Sequence, residues 1–216
     1  MTAAAVRPEA LLIDFGGVLT TSVFDSFAAF CRAEGLPADA LRDSFARDEV
    51  AARLLVDAEE GRLSDEEFGR RLAARLCAGT DLELDPDGLL ERMNAGLRPE
   101  PVMVHATAAI RGSGVTTVLV SNSLGRSTYA WCDFDELFDH VVISAEVGVR
   151  KPSRRIFRLA AERAGVPPER CVAVDDLEHN LVGARRVGMR TILHTDPATT
   201  LAELEQVFGI ALEAAT

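Results

Sequence analysis

Five short apolar runs, each ending at or beside a polar residue, constrain this chain more than anything else in it: Ala10–Phe15, Val115–Ser121, His140–Ser144, Cys171–Val174 and Thr191–Leu193. The runs are continuous rather than alternating, so both faces of each predicted strand must be buried. Antiparallel strands with one wet face alternate, whereas parallel strands covered by helices on both sides do not. Helical patterns follow the later runs, over Pro152–Ala164, Leu177–Val187 and Thr200–Phe208, and each is followed by a glycine, Gly165, Gly188 and Gly209. Glycine is the residue that a helix end in the left-handed conformation favours. Thr200 with Glu203 has the spacing of a capping box and predicts the start of the last helix. Strands alternating with helices predict an α/β fold, a Rossmann-like parallel sheet.

The interval from Thr21 to Arg98 breaks that rhythm. It holds no strand-like run, and its apolar residues recur at helical spacing: Phe24, Phe27, Ala28 and Cys31, then Leu41 and Phe45, then Phe68, Leu72 and Leu76. Ser64 followed by Glu67 predicts the start of the last of these helices. Pro99 and Pro101 mark the return to the sheet. The expected organisation is therefore an α/β core of residues 1–20 and 99–216, with an α-helical cap of residues 21–98 inserted after the first strand. A chain of 216 residues has room for such a core and a modest insertion.

Composition removes several classes of function. The net charge of −11 disfavours nucleic acid, whose phosphates are held by basic patches. No apolar run approaches the roughly 18 residues of a membrane span, and Met1–Ala10 lacks the apolar stretch of a leader. Cys31, Cys77, Cys132 and Cys171 are scattered without metal-ligand spacing, which points to reduced thiols and a cytoplasmic setting. Oligomeric state leaves no signature. Among the 23 cationic residues, Lys151 is the sole lysine, so its position marks a task for which arginine is unsuited.

In an open parallel sheet, ligands bind beyond the carboxyl ends of the strands. Asp14 ends the first run and is followed by Gly16-Gly17. Ser121-Asn122 ends the second, Lys151-Pro152 precedes a helix, and Asp175-Asp176 ends the fourth. Carboxylates suit Mg²⁺, a hard cation that also bridges phosphate oxygens. A further carboxylate can attack phosphorus, while an ammonium and a hydroxyl steady the phosphate oxygens.

These four segments, in this order and with a helical insertion after the first, resemble the motifs of the haloacid dehalogenase superfamily, subfamily I. The resemblance implies that Asp14 is the nucleophile and a metal ligand, and that Ser121 and Asn122 hold the phosphate. It implies that Lys151 bridges phosphate and nucleophile, and that Asp175 and Asp176, with the Gly16 carbonyl, hold Mg²⁺. The expected substrate is a small phosphorylated metabolite, hydrolysed through an aspartyl-phosphate.

One position departs from the pattern. Superfamily phosphatases usually carry a second aspartate two residues after the nucleophile, which protonates the leaving alcohol; here that residue is Gly16. General acid–base help contributes about 10²–10⁴-fold to rate. The expectation is a phosphatase that is slow or selective for good leaving groups. The alternatives are a catalytically impaired protein that binds a phospholigand or a partner, and a 2-haloacid dehalogenase, against which the Asp175-Asp176 pair argues. His179 is a candidate replacement acid, and Asn180 a residue of either the site or its loop. Arg126, just after the second motif, is the expected substrate contact. Phe24, Phe27 and Phe30 read as core of the cap, and its arginines as a solvated face.

Overall fold

The computed structural model describes residues 7–212. Met1–Val6, part of the stretch read above for a leader, lie outside the described residues. Each of the five runs contains a strand: β1 (Ala10–Ile13), β2 (Thr116–Ser121), β3 (His140–Ile143), β4 (Cys171–Asp175) and β5 (Arg190–Leu193). They form one parallel sheet in the order β3-β2-β1-β4-β5. Leu12 of β1 lies opposite Val118 on one side and Ala173 on the other. The chain builds outward from β1 through β2 to β3, then returns to β4 beside β1. That reversal opens a crevice between the carboxyl ends of β1 and β4.

Both faces of β1 are covered, as its unbroken apolar run requires. Leu11 and Ile13 pack with Met103 and Ile110 of α6 (Pro101–Gly112) and with Leu204 and Phe208 of α11 (Pro197–Phe208). Ala10 and Leu12 pack on the opposite face with Ile156 and Ala160 of α9 (Arg154–Ala164) and Leu181 of α10 (Glu178–Arg185). Each fully buried Leu, Ile or Phe contributes about 1.5–3 kcal/mol, so these two layers hold the sheet. Short helices α7 (Phe134–Leu137) and α8 (Ser144–Val147) flank β3.

Two helix boundaries differ from expectation. The last helix starts at Pro197, with Asp196 accepting from the Thr199 amide at 2.9 Å, rather than at the Thr200 box. Proline is preorganised for the first helical position, and Asp196 is the cap. Thr200 is buried and meets His194 Nδ1 at 2.8 Å instead. The helix predicted over Leu177–Val187 is the shorter α10 and ends before Gly188.

Between β1 and β2 the chain forms α1 (Val23–Ala33), α2 (Ala40–Arg47), α3 (Glu49–Glu59), α4 (Asp65–Leu76) and α5 (Leu89–Asn94). Ser22, Asp48 and Ser64 cap α1, α3 and α4, and Ser64 accepts from the Glu67 amide as its spacing predicts. Phe27, Phe30, Leu41, Leu54, Phe68 and Met93 form a cluster separate from the two that cover the sheet. The chain leaves and re-enters the sheet side by side, with Thr20 bridging Pro99 and the Glu100 amide bonded to the Leu19 carbonyl at 2.8 Å. Among the described residues no helix is long and apolar enough to cross a membrane, and all four cysteines are free thiols.

Candidate active site

β1 delivers Asp14 to the crevice, and the turn after it brings backbone against β4's loop. Gly17 has a positive φ of 77°, and a Cβ there would lie 2.3 Å from Asp176 Oδ2. Glycine therefore serves both the left-handed turn and the close approach of the carboxylate. Gly16 has no such φ. Its missing side chain is explained by a neighbour: a Cβ would lie 2.7 Å from Val23 Cγ2, at the start of α1. Val23 fills the direction in which a second aspartate would project.

Lys151 joins the two carboxylate loops. Its ammonium, on a side chain that is nearly fully buried, lies 2.7 Å from Asp14 Oδ1 and 2.7 Å from Asp175 Oδ2. The Asn122 side chain holds the lysine's backbone, accepting from its amide at 2.8 Å and donating to its carbonyl at 3.3 Å. Asp175 is held in turn: its Oδ1 accepts from the Leu177 amide and from Asn180 Nδ2, both at 2.9 Å. Asp14 Oδ1 also accepts from the Phe15 amide at 2.7 Å, while its Oδ2 has no hydrogen bond or ion pair among the described residues.

The electrostatics follow from one ammonium among three buried or half-buried acids. Burial pushes Asp14 well above the usual carboxylate range; Lys151 opposes this, and Asp175 and Asp176 add to it. Burial and then the Asp175 charge raise Asp176 to about 6. For Lys151 burial alone would favour the neutral amine, but Asp14 and Asp175 outweigh it and hold the proton more tightly than usual. Asp14, Asp175 and Asp176 each offer an oxygen, and these atoms lie within 4.8 Å of one another. Crowded hard oxygen donors with more negative than positive charge are a set that a divalent cation relieves.

A model of the haloacid dehalogenase-like hydrolases matches residues 8–188, the stretch that carries all four strand-end segments. The chain belongs to this family. It has the Rossmann-like sheet and the inserted helices that its sequence predicts. The bifunctional epoxide hydrolase 2 of Rattus norvegicus is 37% identical over 114 residues, covering 50% of this chain and 21% of that protein. The glyceraldehyde 3-phosphate phosphatase of Methanopyrus kandleri is 36% identical over 102 residues, or 45% of this chain and 44% of that one. The chain thus spans about a fifth of the first relative's length and under half of the second's. A solved haloacid dehalogenase family enzyme of Bacteroides thetaiotaomicron, in its magnesium complex, shares the fold with a TM-score of 0.68. Its identity is 21%, and the match covers 88% of this chain and 94% of that one.

Asp14, Gly16, Ser121, Asn122, Lys151 and Asp176 line one cavity of about 450 Å³. Arg126 is not among the residues that line it. That arginine is exposed on the turn Arg126–Tyr129 and borders a second cavity of about 340 Å³ with Asp65, Glu66 and Gly125. Two other arginines, Arg42 of α2 and Arg150, lie on the first cavity instead. His179 also lies there and is exposed, and Asn180 lines the same cavity while buried and bonded to Asp175.

Sequence reasoning missed Tyr129, Glu59 and Arg150 of this cavity. Tyr129, the sole tyrosine, meets Ser121 Oγ at 2.8 Å and packs edge-on against Phe15, with ring centroids 4.7 Å apart. Its scarcity was the only available signal. Glu59, at the end of α3, is buried on the cavity wall with Arg150 Nε 2.5 Å from its Oε2, an ion contact rather than an aligned hydrogen bond. Burial raises the Glu59 carboxyl to about 7, with Arg150 and Lys151 opposing. The Glu59 carbonyl also accepts from Ser144 Oγ at 2.5 Å, and that oxygen accepts from the Ser123 amide at 2.9 Å. One hydroxyl thereby ties the inserted helices to the loop after β2.

Proposed function

We propose that this chain is a Mg²⁺-dependent phosphatase of a small phosphorylated metabolite, working through an aspartyl-phosphate on Asp14. The observation that carries this reading is the convergence of Asp14, Lys151 and Asp176 on one cavity, with Ser121 beside them and Asp175 behind. Within the described residues, 7–20 and 99–212 form the core, and residues 21–98 a cap that closes over the substrate, excludes water and sets specificity. The relative from Methanopyrus kandleri, a phosphatase by name, and the magnesium-complexed neighbour support the same chemistry.

Asp14 Oδ2 attacks phosphorus, the bond from phosphorus to the ester oxygen breaks, and the leaving oxygen takes its proton from water. Water then attacks the aspartyl-phosphate, releasing inorganic phosphate and restoring the carboxylate. Lys151 holds Asp14 Oδ1 and neutralises charge on the transferring group, and Ser121, oriented by Tyr129, donates to a phosphate oxygen. Asn122 positions Lys151 through its backbone and helps hold the phosphate. Asp14, Asp175, Asp176 and the Gly16 carbonyl would hold Mg²⁺, whose charge would offset that of the phosphate oxygens. No acid comes from position 16, so esters that leave without protonation are favoured.

Phosphate release from para-nitrophenyl phosphate tests this reading. Slow, Mg²⁺-dependent turnover is expected, and Asp14→Asn should abolish it. Activity persisting in that variant or in excess chelator would overturn the aspartyl-phosphate mechanism. Failure to bind vanadate or beryllium fluoride with Mg²⁺, together with no turnover, would favour a binding protein.

A further inference from the structure

The wall that faces Asp14 is apolar. Val23, Phe24, Phe27, Phe45, Leu55 and Leu97 line the cavity from the inserted helices and the loop that follows them. The polar side chains on that wall are few, and each faces a protein group. Glu59 faces Arg150, Asn94 Nδ2 donates to the Leu124 carbonyl at 2.8 Å and to Thr128 at 3.0 Å, and Arg42 lies 3.6 Å from both Asp39 and Asp43. A substrate body rich in hydroxyls would lose much of its water here for few partners, and buried hydroxyls without partners are costly. An apolar body loses nothing. Phe24 is 44% exposed at the cavity's edge, an aromatic surface that such a body would cover.

A second observation narrows the class. With Val23 filling the direction in which an acid would project from position 16, the leaving oxygen departs beside a methyl group. An alkoxide in apolar surroundings is a poor leaving group, whereas a phenoxide spreads its charge into a ring. Phe27 and Phe45, edge-to-face with centroids 6.3 Å apart, present aromatic surface to that ring.

Resting on the phosphatase reading above, we propose that the substrate is a phosphate monoester of an apolar aromatic alcohol, with the ring against the helical wall. Asp14 takes the phosphoryl group, the bond from phosphorus to the aryl oxygen breaks, and the phenoxide is protonated by water. The second step is hydrolysis of the aspartyl-phosphate, as above.

The test separates the body of the ligand from its leaving ability. Non-hydrolysable naphthylmethyl-, methyl- and dihydroxypropyl-phosphonates are titrated by calorimetry into the Mg²⁺-loaded protein. Naphthylmethylphosphonate should bind at least tenfold more tightly than the other two. Phe24→Ser, at an exposed position, and Leu55→Asn should each shrink that margin severalfold while leaving methylphosphonate affinity unchanged. Turnover is read in parallel: naphthyl phosphate should exceed cyclohexyl phosphate and glycerol phosphate by a hundredfold or more in kcat/KM. Equal binding of the three phosphonates, or preference for the dihydroxypropyl one, would overturn the aromatic class. Cyclohexyl phosphate matching naphthyl phosphate would do the same. Absence of phosphate release from every ester would instead sink the hydrolytic reading, and the phosphonate ranking would still decide the character of the wall.

Discussion

The floor and the wall of the cavity are built from opposite materials. On the floor, at the ends of β1 and β4, two carboxylates and an ammonium meet at 2.7 Å and are almost wholly withdrawn from water. On the wall, helices present Phe, Leu and Val, and the carboxylate they contribute, Glu59, is occupied by Arg150. The floor is held by short hydrogen bonds to neighbouring backbone, so its geometry is tight and suited to a reaction. The wall is held by packing, which tolerates substitution and suits selection among substrates. Chemistry and specificity are thus separated along the line where the inserted helices meet the sheet.

Removing the ammonium breaks the floor most severely. Lys151→Ala leaves Asp14 and Asp175 buried without their counter-charge, and loss of one such electrostatic contact costs about 10²–10³-fold in kcat. Lys151→Arg should cost nearly as much, because a planar guanidinium cannot occupy a nearly fully buried ammonium site between two carboxylates 2.7 Å away on either side. Steady-state kinetics of the two variants, with circular dichroism to confirm folding, would check this. Arginine retaining near-native activity would mean that the sole lysine has no special task.

Exchanging material between floor and wall gives the next effect. Gly16→Asp alone should not help, because its Cβ would meet Val23 Cγ2 and overpacking costs about 1–3 kcal/mol. With Val23→Ala the space opens, and turnover of cyclohexyl or other alkyl phosphates should rise by up to about 10²-fold, the low end of general-acid catalysis. Aryl phosphates should gain much less. Equal gain for both ester types would mean that the introduced carboxylate acts by some route other than protonating the leaving oxygen.

The smallest effect concerns the acid on the wall. Glu59 has a folded-state pKa near 7, above its ordinary value of 4.5, so the folded protein binds more protons than the unfolded chain between those limits. Stability of the metal-free protein should therefore fall as pH rises from about 4.5 to about 7. Asp176, raised to about 6, adds a slope of the same sign over the lower part of that window. Glu59→Gln should flatten the upper part, a change of several degrees in Tm given about 2–4 °C per kcal/mol for a chain of this size. Thermal melts in chelator across that pH range would show it; an unchanged slope in Glu59→Gln would place the titration elsewhere.

Much of the floor was legible in the sequence because each of its residues ends or follows a strand. Asp14, Ser121 and Asp175 sit at or just beyond the last residues of continuous apolar runs, and a parallel sheet brings such ends to one edge. Ser64 likewise announced the start of α4, since its cap is a local hydrogen bond to the Glu67 amide. Boundaries were less legible where two caps competed, as at Asp196 and Thr200, because only packing buried the threonine.

By itself, the sequence determined the sheet, the helical insertion and the residues that converge at the strand ends, since all depend on periodicity and local order. The tertiary structure alone decided that Arg126 stands apart while Arg150 and Glu59 meet across the cavity, and that Val23 occupies the direction left open by Gly16. It alone made Phe27 part of the cavity's lining as well as of the helical core, and left Phe24, read from the sequence as core, exposed at the cavity's edge. These are contacts between side chains whose elements meet only when the inserted helices dock on the sheet. A linear pattern records which residues face inward, but not which inward-facing residue is met on the other side.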